Sequence, residues 1–264
     1  MALNLKVLSQ VPWSLPVAAI WLWLFWKYVN GHGWPRATAD RRRELLGARP
    51  LSAPMWCWSL LTCGLLLACN ISFHYAYARF QPISVALPEA LLALPPVTLV
   101  SVLLMISAQA GIVEEAAFRG YMFTPIERRH GPVVATVVVS LLFLLAHFND
   151  PQNLSVFRIV SIFCAGVVYC VVLLVTRSIL PGLVAHAVGD AIGLLLLWRA
   201  ATRAGPAAPR LGGVSEAMRD PAFLGFAGAA LVFGLAALWT FMRLRSVAVN
   251  RGVGLPLSRR QEAP

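Results

Sequence analysis

The chain has 264 residues, 59% of them hydrophobic and only 12% charged, where a soluble domain carries about 25% charged residues. With a mean hydropathy of +0.72, that composition excludes an ordinary soluble fold and points to a polytopic membrane protein. The formal net charge of +11 would suggest nucleic acid in a soluble chain. Here no basic helix or aromatic platform stands outside the apolar segments, so the excess is assigned to arginine-rich cytoplasmic loops facing anionic lipid.

A spanning helix needs about 20 largely apolar residues. In chain order the candidates are 12–29, 54–78, about 91–124, 132–148, 156–176, 180–198 and 221–242. The first is rich in tryptophan (Trp13, Trp21, Trp23, Trp26), which suits a lipid-facing or interfacial anchor. Its nearest A-x-A-like site, Ala37-Thr38-Ala39, lies beyond Lys27 and Arg36, so it reads as an uncleaved span. The third is too long for one crossing and contains Pro95-Pro96, which predicts a short segment and then a helix from about 97 to 124. Cys57, Cys63, Cys69, Cys164 and Cys170 all fall in apolar runs without a C-x-x-C pair. They read as small buried hydrophobes and imply neither a disulfide framework nor a zinc site.

The expected fold is therefore all-α, a polytopic transmembrane helical bundle of about seven to eight spans, forming a single integral membrane domain over 1–264. The longest loops are 30–53, arginine-rich, and 199–220, rich in Pro, Gly and Ala; no internal repeat is found. With the N-terminus outside, Lys27, Arg36, Arg41, Arg42, Arg43, Arg49, Arg128, Arg129, Arg177, Arg243, Arg245, Arg251, Arg259 and Arg260 fall inside. Lys6, Arg79, Arg158, Arg199, Arg203, Arg210 and Arg219 fall outside, about half as many. The positive-inside rule thus favours N-out and C-in, and the expected location is a bacterial inner (plasma) membrane.

Charges within such spans cost about 3 kcal/mol each at the bilayer centre on insertion scales, and they mark pairs or chemistry. Glu114, Glu115 and Arg119 stand inside the third segment. Adjacent glutamates on a helix point about 100° apart and cannot both face one point. Arg119 is four residues beyond Glu115, within reach of an i,i+4 ion pair, which leaves Glu114 as the free carboxylate. His147 ends the fourth segment, with Phe143 four residues earlier on the same face. His186 and Asp190 share a face of the sixth. Polar groups in spans normally face the bundle interior, so three helix faces should converge. His32 and His130 fall in polar loops and His74 near the end of the second span.

Glu-Glu-x-x-x-Arg, then Phe-x-x-x-His, then His-x-x-x-Asn/Asp, each on its own hydrophobic helix and in that order, resembles the CPBP family of intramembrane endopeptidases. That family includes the CAAX prenyl proteases and the Abi-like bacteriocin-processing or immunity proteins. The resemblance covers a core of about 98–195; the spans 12–29 and 54–78 before it and 221–242 after it carry none. It implies that Glu114 activates water, that His147 assists it or holds the water, and that His186 and the residue four beyond it stabilise an oxyanion. Glu115, Arg119 and Phe143 would support the site. Asp190 stands where Asn is familiar. An ionised Asp cannot donate to an oxyanion, so either Asp190 is protonated or it orients and charges His186 as the donor; the second is preferred.

The chemistry also stands on the residues alone. Peptide hydrolysis needs a nucleophilic water, a proton acceptor, a stabiliser for the tetrahedral intermediate and a proton for the leaving amine. No Ser or Cys is obviously paired with a base, and no H-E-x-x-H motif occurs. The expected function is an endopeptidase cleaving near the C-terminus or leader of a membrane-associated peptide or protein. It would use no cofactor and bind no nucleic acid, with the lipid bilayer as its surroundings. One alternative is a zinc metallopeptidase using Glu114, His147 and His186 as ligands. Another is a non-enzymatic membrane protein, such as a proton-coupled transporter or an immunity protein. Depth poses a difficulty: at about 1.5 Å per residue, the expected helix ends put Glu114, His186 and His147 roughly 16, 10 and 22 Å from the cytoplasmic side. An active cavity open to that side is expected.

Overall fold

The computed structural model describes residues 11–81, 87–148, 155–202 and 210–253, which form helices and no strands. The longer helices are α1 (Ser14–Val29), α2 (Ala39–Leu46), α3 (Ala53–Ala78), α4 (Pro96–Glu114), a π-helical segment Glu115–Met122, α5 (Phe123–Ala146), α6 (Val156–Thr176), α7 (Leu180–Thr202) and α8 (Pro221–Asn250). Prolines open several of them: Pro54 in α3, Pro96 in α4 and Pro221 in α8 stand in the first turn, where a missing N–H leaves nothing unsatisfied. The short segment expected before Pro95 is a single turn, Glu89–Leu92.

Among the described residues, five helical runs are long and apolar enough to cross a membrane, and α1 is a shorter apolar helix. One of the five is the 51-residue run Pro96–Ala146. It breaks at Gly131, whose φ of 84° and ψ of 169° are non-helical. Only glycine takes that φ freely, and Pro132 beside it has no N–H to continue the ladder. The run thus becomes two rods, 96–130 and 132–146. Counting both rods and α1, seven apolar helices correspond to the seven segments in the sequence.

The rods pack in pairs: α3 along α8, α4 along α7, and α5 along α6. Close approach of α4 and α7 depends on Gly111. A Cβ there would lie 2.8 Å from Ala187 Cβ and 2.9 Å from the carbonyl oxygen of Leu183. Gly111→Ala should force these helices apart and lower stability by about 1–3 kcal/mol, read as an earlier unfolding transition in detergent. Unchanged stability would mean that the two helices are free to separate.

The outer surface is apolar. Leu231, Val232, Leu235 and Leu238 of α8 are all more than half exposed, a patch that bilayer lipid would cover. Trp21 and Trp23 of α1 also face outward while Leu22 and Val29 are buried, in keeping with a lipid-facing anchor. The cysteines divide: Cys63 and Cys170 are buried, but Cys57 and Cys164 are exposed on outer helix faces. Uniformly apolar helices carry too little periodicity to tell lipid-facing from core positions.

Polar contacts group the loops at two ends. At one end Arg128 pairs with Glu44, Arg177 with Glu127 at 2.6 Å, and Ser178 Oγ donates to the Arg49 carbonyl at 2.7 Å. At the other end Arg79 pairs with Asp220, and the Leu211 N–H donates to the Arg79 carbonyl at 2.9 Å. Asp220 also accepts from the Phe223 N–H at 2.8 Å as the N-cap of α8. Arg79, with that N–H, holds the Asp220 carboxyl below the usual carboxylate range, as Arg128 and Arg41 do for Glu44. The loops grouped together are those the charge pattern assigns to one side. Lys6, Arg203, Arg259 and Arg260 lie outside the described residues.

Candidate active site

Glu114 closes α4, and Glu115 begins the π-helical segment. π-helices are rare and concentrate at functional sites. Small residues line this one: Ala116 is buried, and Gly120 lies so close to α2 that a Cβ would meet Leu46 Cα at 3.2 Å. Glu115 and Arg119 have fully buried side chains and pair at 2.9 Å, Nη1 to Oε1. This is the i,i+4 pair expected from the sequence. Arg119 also donates through Nη2 to the Gly166 carbonyl at 3.2 Å. Its guanidinium lies 4.3 Å from the centre of the Phe143 ring and 5.1 Å from that of Tyr169, favourable positions for a cation over aromatic faces.

The two glutamates do converge, contrary to the expectation from an ideal helix. His186, 4% exposed, lies between them. Its Nδ1 donates to Glu115 Oε1 at 2.9 Å, and its Nε2 stands 3.7 Å from Glu114 Oε2. The 100° separation does not keep them apart, because the imidazole presents nitrogens to both carboxylates. A carboxylate accepts only, so the bond to Glu115 fixes a proton on Nδ1. His186 Nε2 is also 3.7 Å from Asp190 Oδ2, so the expected His186–Asp190 neighbours are adjacent but beyond direct hydrogen-bond range.

His147 is the C-cap residue of α5. Its Nδ1 lies 2.7 Å from the Phe143 carbonyl, one of the four orphan carbonyls at a helix C-terminus. That acceptor assigns the proton to Nδ1, leaving Nε2 to face Glu114 Oε2 at 3.8 Å. Phe143 therefore binds His147 through its backbone. Its ring also contacts His147 at 4.6 Å, His186 edge-on at 5.7 Å and the Arg119 guanidinium. The Phe-x-x-x-His spacing is the spacing of this capping bond.

Glu114 differs in kind from Glu115. Its side chain is 31% exposed, but Oε2 is buried and accepts no direct hydrogen bond among the described residues. Glu114, His147 and Asp190 are the accessible members, with side chains 31%, 30% and 42% exposed. The described residues include no group of three or more His, Cys, Asp or Glu side chains placed to hold a metal ion.

The depths agree once the helix ends are corrected. The rod bearing Glu114 runs on to residue 130, past the expected end at 124, and so matches the rod bearing His147. The turn before α7 is sunk below the surface: Thr176, Ser178 and Ile179 are at most 1% exposed. It is held by the strand of chain after α2, with the Ile179 N–H donating to the Gly47 carbonyl at 3.3 Å. Buried Leu46 packs on Ala116 and Ile179. On the arginine-rich side α2 and residues 47–49 thus pack over Ala116 and the turn before α7.

Tyr169 is a further member of the cluster that the sequence does not signal. Its ring stacks on His186 at 5.2 Å, nearly parallel. A tyrosine within an apolar helix carries no spacing signal, although its place on α6 opposite the histidine helix does the work of a wall.

No curated protein and no solved structure matches the chain. Residues 96–192, which hold every polar member of this cluster, match the family model of the Rce1-like type II CAAX prenyl endopeptidases, the group of membrane proteases that the three motifs resemble.

Proposed function

We propose that this membrane endopeptidase hydrolyses a peptide bond near the C-terminus or leader of a membrane-associated substrate, with Glu114 activating the water. The observation that carries the reading is the buried Glu114 Oε2, which accepts no direct hydrogen bond among the described residues and faces both His147 Nε2 and His186 Nε2. A water between Glu114 and His147 would donate one hydrogen to each. Its oxygen attacks the scissile carbonyl carbon as Glu114 takes a proton. His186, doubly protonated, donates from Nε2 to the oxyanion, with Glu115 holding Nδ1 and Asp190 supplying negative charge beside the ring. The intermediate collapses as the amine leaves with the proton held by Glu114. Separations of 3.7–3.8 Å suit a site that tightens around substrate.

Purified protein in lipid vessels such as nanodiscs, offered prenylated C-terminal peptides, unprenylated C-terminal tags and leader peptides, should cleave one class internally. Products are read by mass spectrometry. Cleavage should persist with a strong chelator present. Loss of cleavage in chelator, restored by zinc, would instead favour the metallopeptidase reading, and no cleavage of any class would favour a non-enzymatic role. The same proposal places the chain in a bacterial plasma membrane, N-terminus outside and C-terminus cytoplasmic.

A further inference from the structure

A cavity of about 440 Å³ lies at the arginine-rich end of the bundle, and none of its lining residues belongs to the glutamate–histidine cluster. Three chain segments meet there: the start of α3, the turn after α6 and the end of α8. Arg49, Arg177 and Arg251 line it, together with Ser52, and Leu51, Met55 and Val253 supply apolar walls.

Several features of the lining point to an anion. Ser52 is the N-cap residue of α3, yet its hydroxyl makes no capping bond and is buried without a partner among the described residues. The 26-residue α3 directs the positive end of its dipole and its unpaired first-turn N–H groups into the same space. Arg49 and Arg251 are exposed and have no carboxylate partner among the described residues. Arg177 takes a left-handed backbone, φ 55°, where glycine is the usual helix terminator. A non-glycine residue held in that conformation is a place to look for function. Its guanidinium binds Glu127 at 2.6 Å through Nη1, so among the described residues one acidic group offsets part of the charge of three arginines.

We propose that this cavity binds a phosphate group, that of an anionic phospholipid headgroup. Guanidinium forks match phosphate oxygens, and the Ser52 hydroxyl and the α3 N-terminus complete the donor set. The apolar walls suit the glycerol and upper acyl chain of a lipid rather than a fully hydrated ion. The location, at the ends of three membrane-spanning helices, is headgroup level. The site is independent of peptidase activity. Its turn, Thr176 to Ile179, leads directly into the helix that carries His186, so occupancy would brace the catalytic helix.

Full-length protein in phosphatidylcholine nanodiscs, with and without phosphatidylglycerol, should unfold several degrees higher when the anionic lipid is present. The double variant Arg49→Gln/Arg251→Gln should match wild type in phosphatidylcholine but lose the shift. The variant Arg41→Gln/Arg43→Gln, on the same face but outside the cavity, should keep it. A third arm adds inorganic phosphate to the phosphatidylcholine samples. A phosphate-induced shift in wild type that the cavity variant loses would support the site and make its source a soluble phosphate. The proposal is overturned if no arm shows a shift, if the cavity variant retains it, or if the Arg41/Arg43 variant loses it equally.

Discussion

Glu114→Gln should reduce peptide hydrolysis by about 10³-fold, the scale of a lost general base, while leaving the unfolding transition in place. The carboxamide keeps the shape of the side chain but cannot take a proton from water. Little stability should change with it, because Glu114 Oε2 makes no direct hydrogen bond among the described residues. Glu115→Gln is the informative contrast. Glu115 Oε1 receives both Arg119 and His186 at 2.9 Å, so that variant should lose stability and activity together. Kinetics and unfolding measured on both variants separate the roles. Full activity in Glu114→Gln would end the assignment of Glu114 as base.

Arg119→Ala should be the most destabilising single change in the bundle, by about 3–5 kcal/mol, the usual cost of stranding one member of a buried ion pair. Its side chain is wholly buried and meets Glu115, the Gly166 carbonyl and the Phe143 ring. Arg119→Lys would keep the charge but not the planar fork or the stacked face, and should recover only part of the loss. Unfolding in detergent followed by circular dichroism gives the numbers. Activity should fall as well, since Glu115 without its counter-ion would hold His186 Nδ1 differently. An Arg119→Ala protein as stable as wild type would show that the pair does not support the fold.

Much of the site was visible as spacing. Glu115 to Arg119 and Phe143 to His147 are single helical turns, and the structure uses both as local contacts. The segments themselves were visible as apolar runs, because a bilayer demands length and little else. What spacing could not show was lateral. Tyr169 faces His186 because α6 lies against α7, and no pattern within α6 records its neighbour. The widened turn from Glu115 to Met122 was also invisible, since helix period alone does not distinguish π from α geometry. The apparent mismatch in depth arises because the end of an apolar run is not the end of a helix. The first rod extends through polar residues to 130, and the turn at 177–179 is polar yet buried. Composition marks where lipid ends; it does not mark where the backbone turns.

The position of Arg119 four residues after its counter-ion has a consequence for the order of events during synthesis. The two charges lie on one helix, so they neutralise each other as soon as that turn winds. This precedes emergence of α6 with the Gly166 carbonyl, or α7 with His186, from the ribosome. The early chain can therefore enter the bilayer carrying a self-contained ion pair. Glu115 accepts its second partner, His186, only when α7 arrives, so the completed cluster is a late product of assembly.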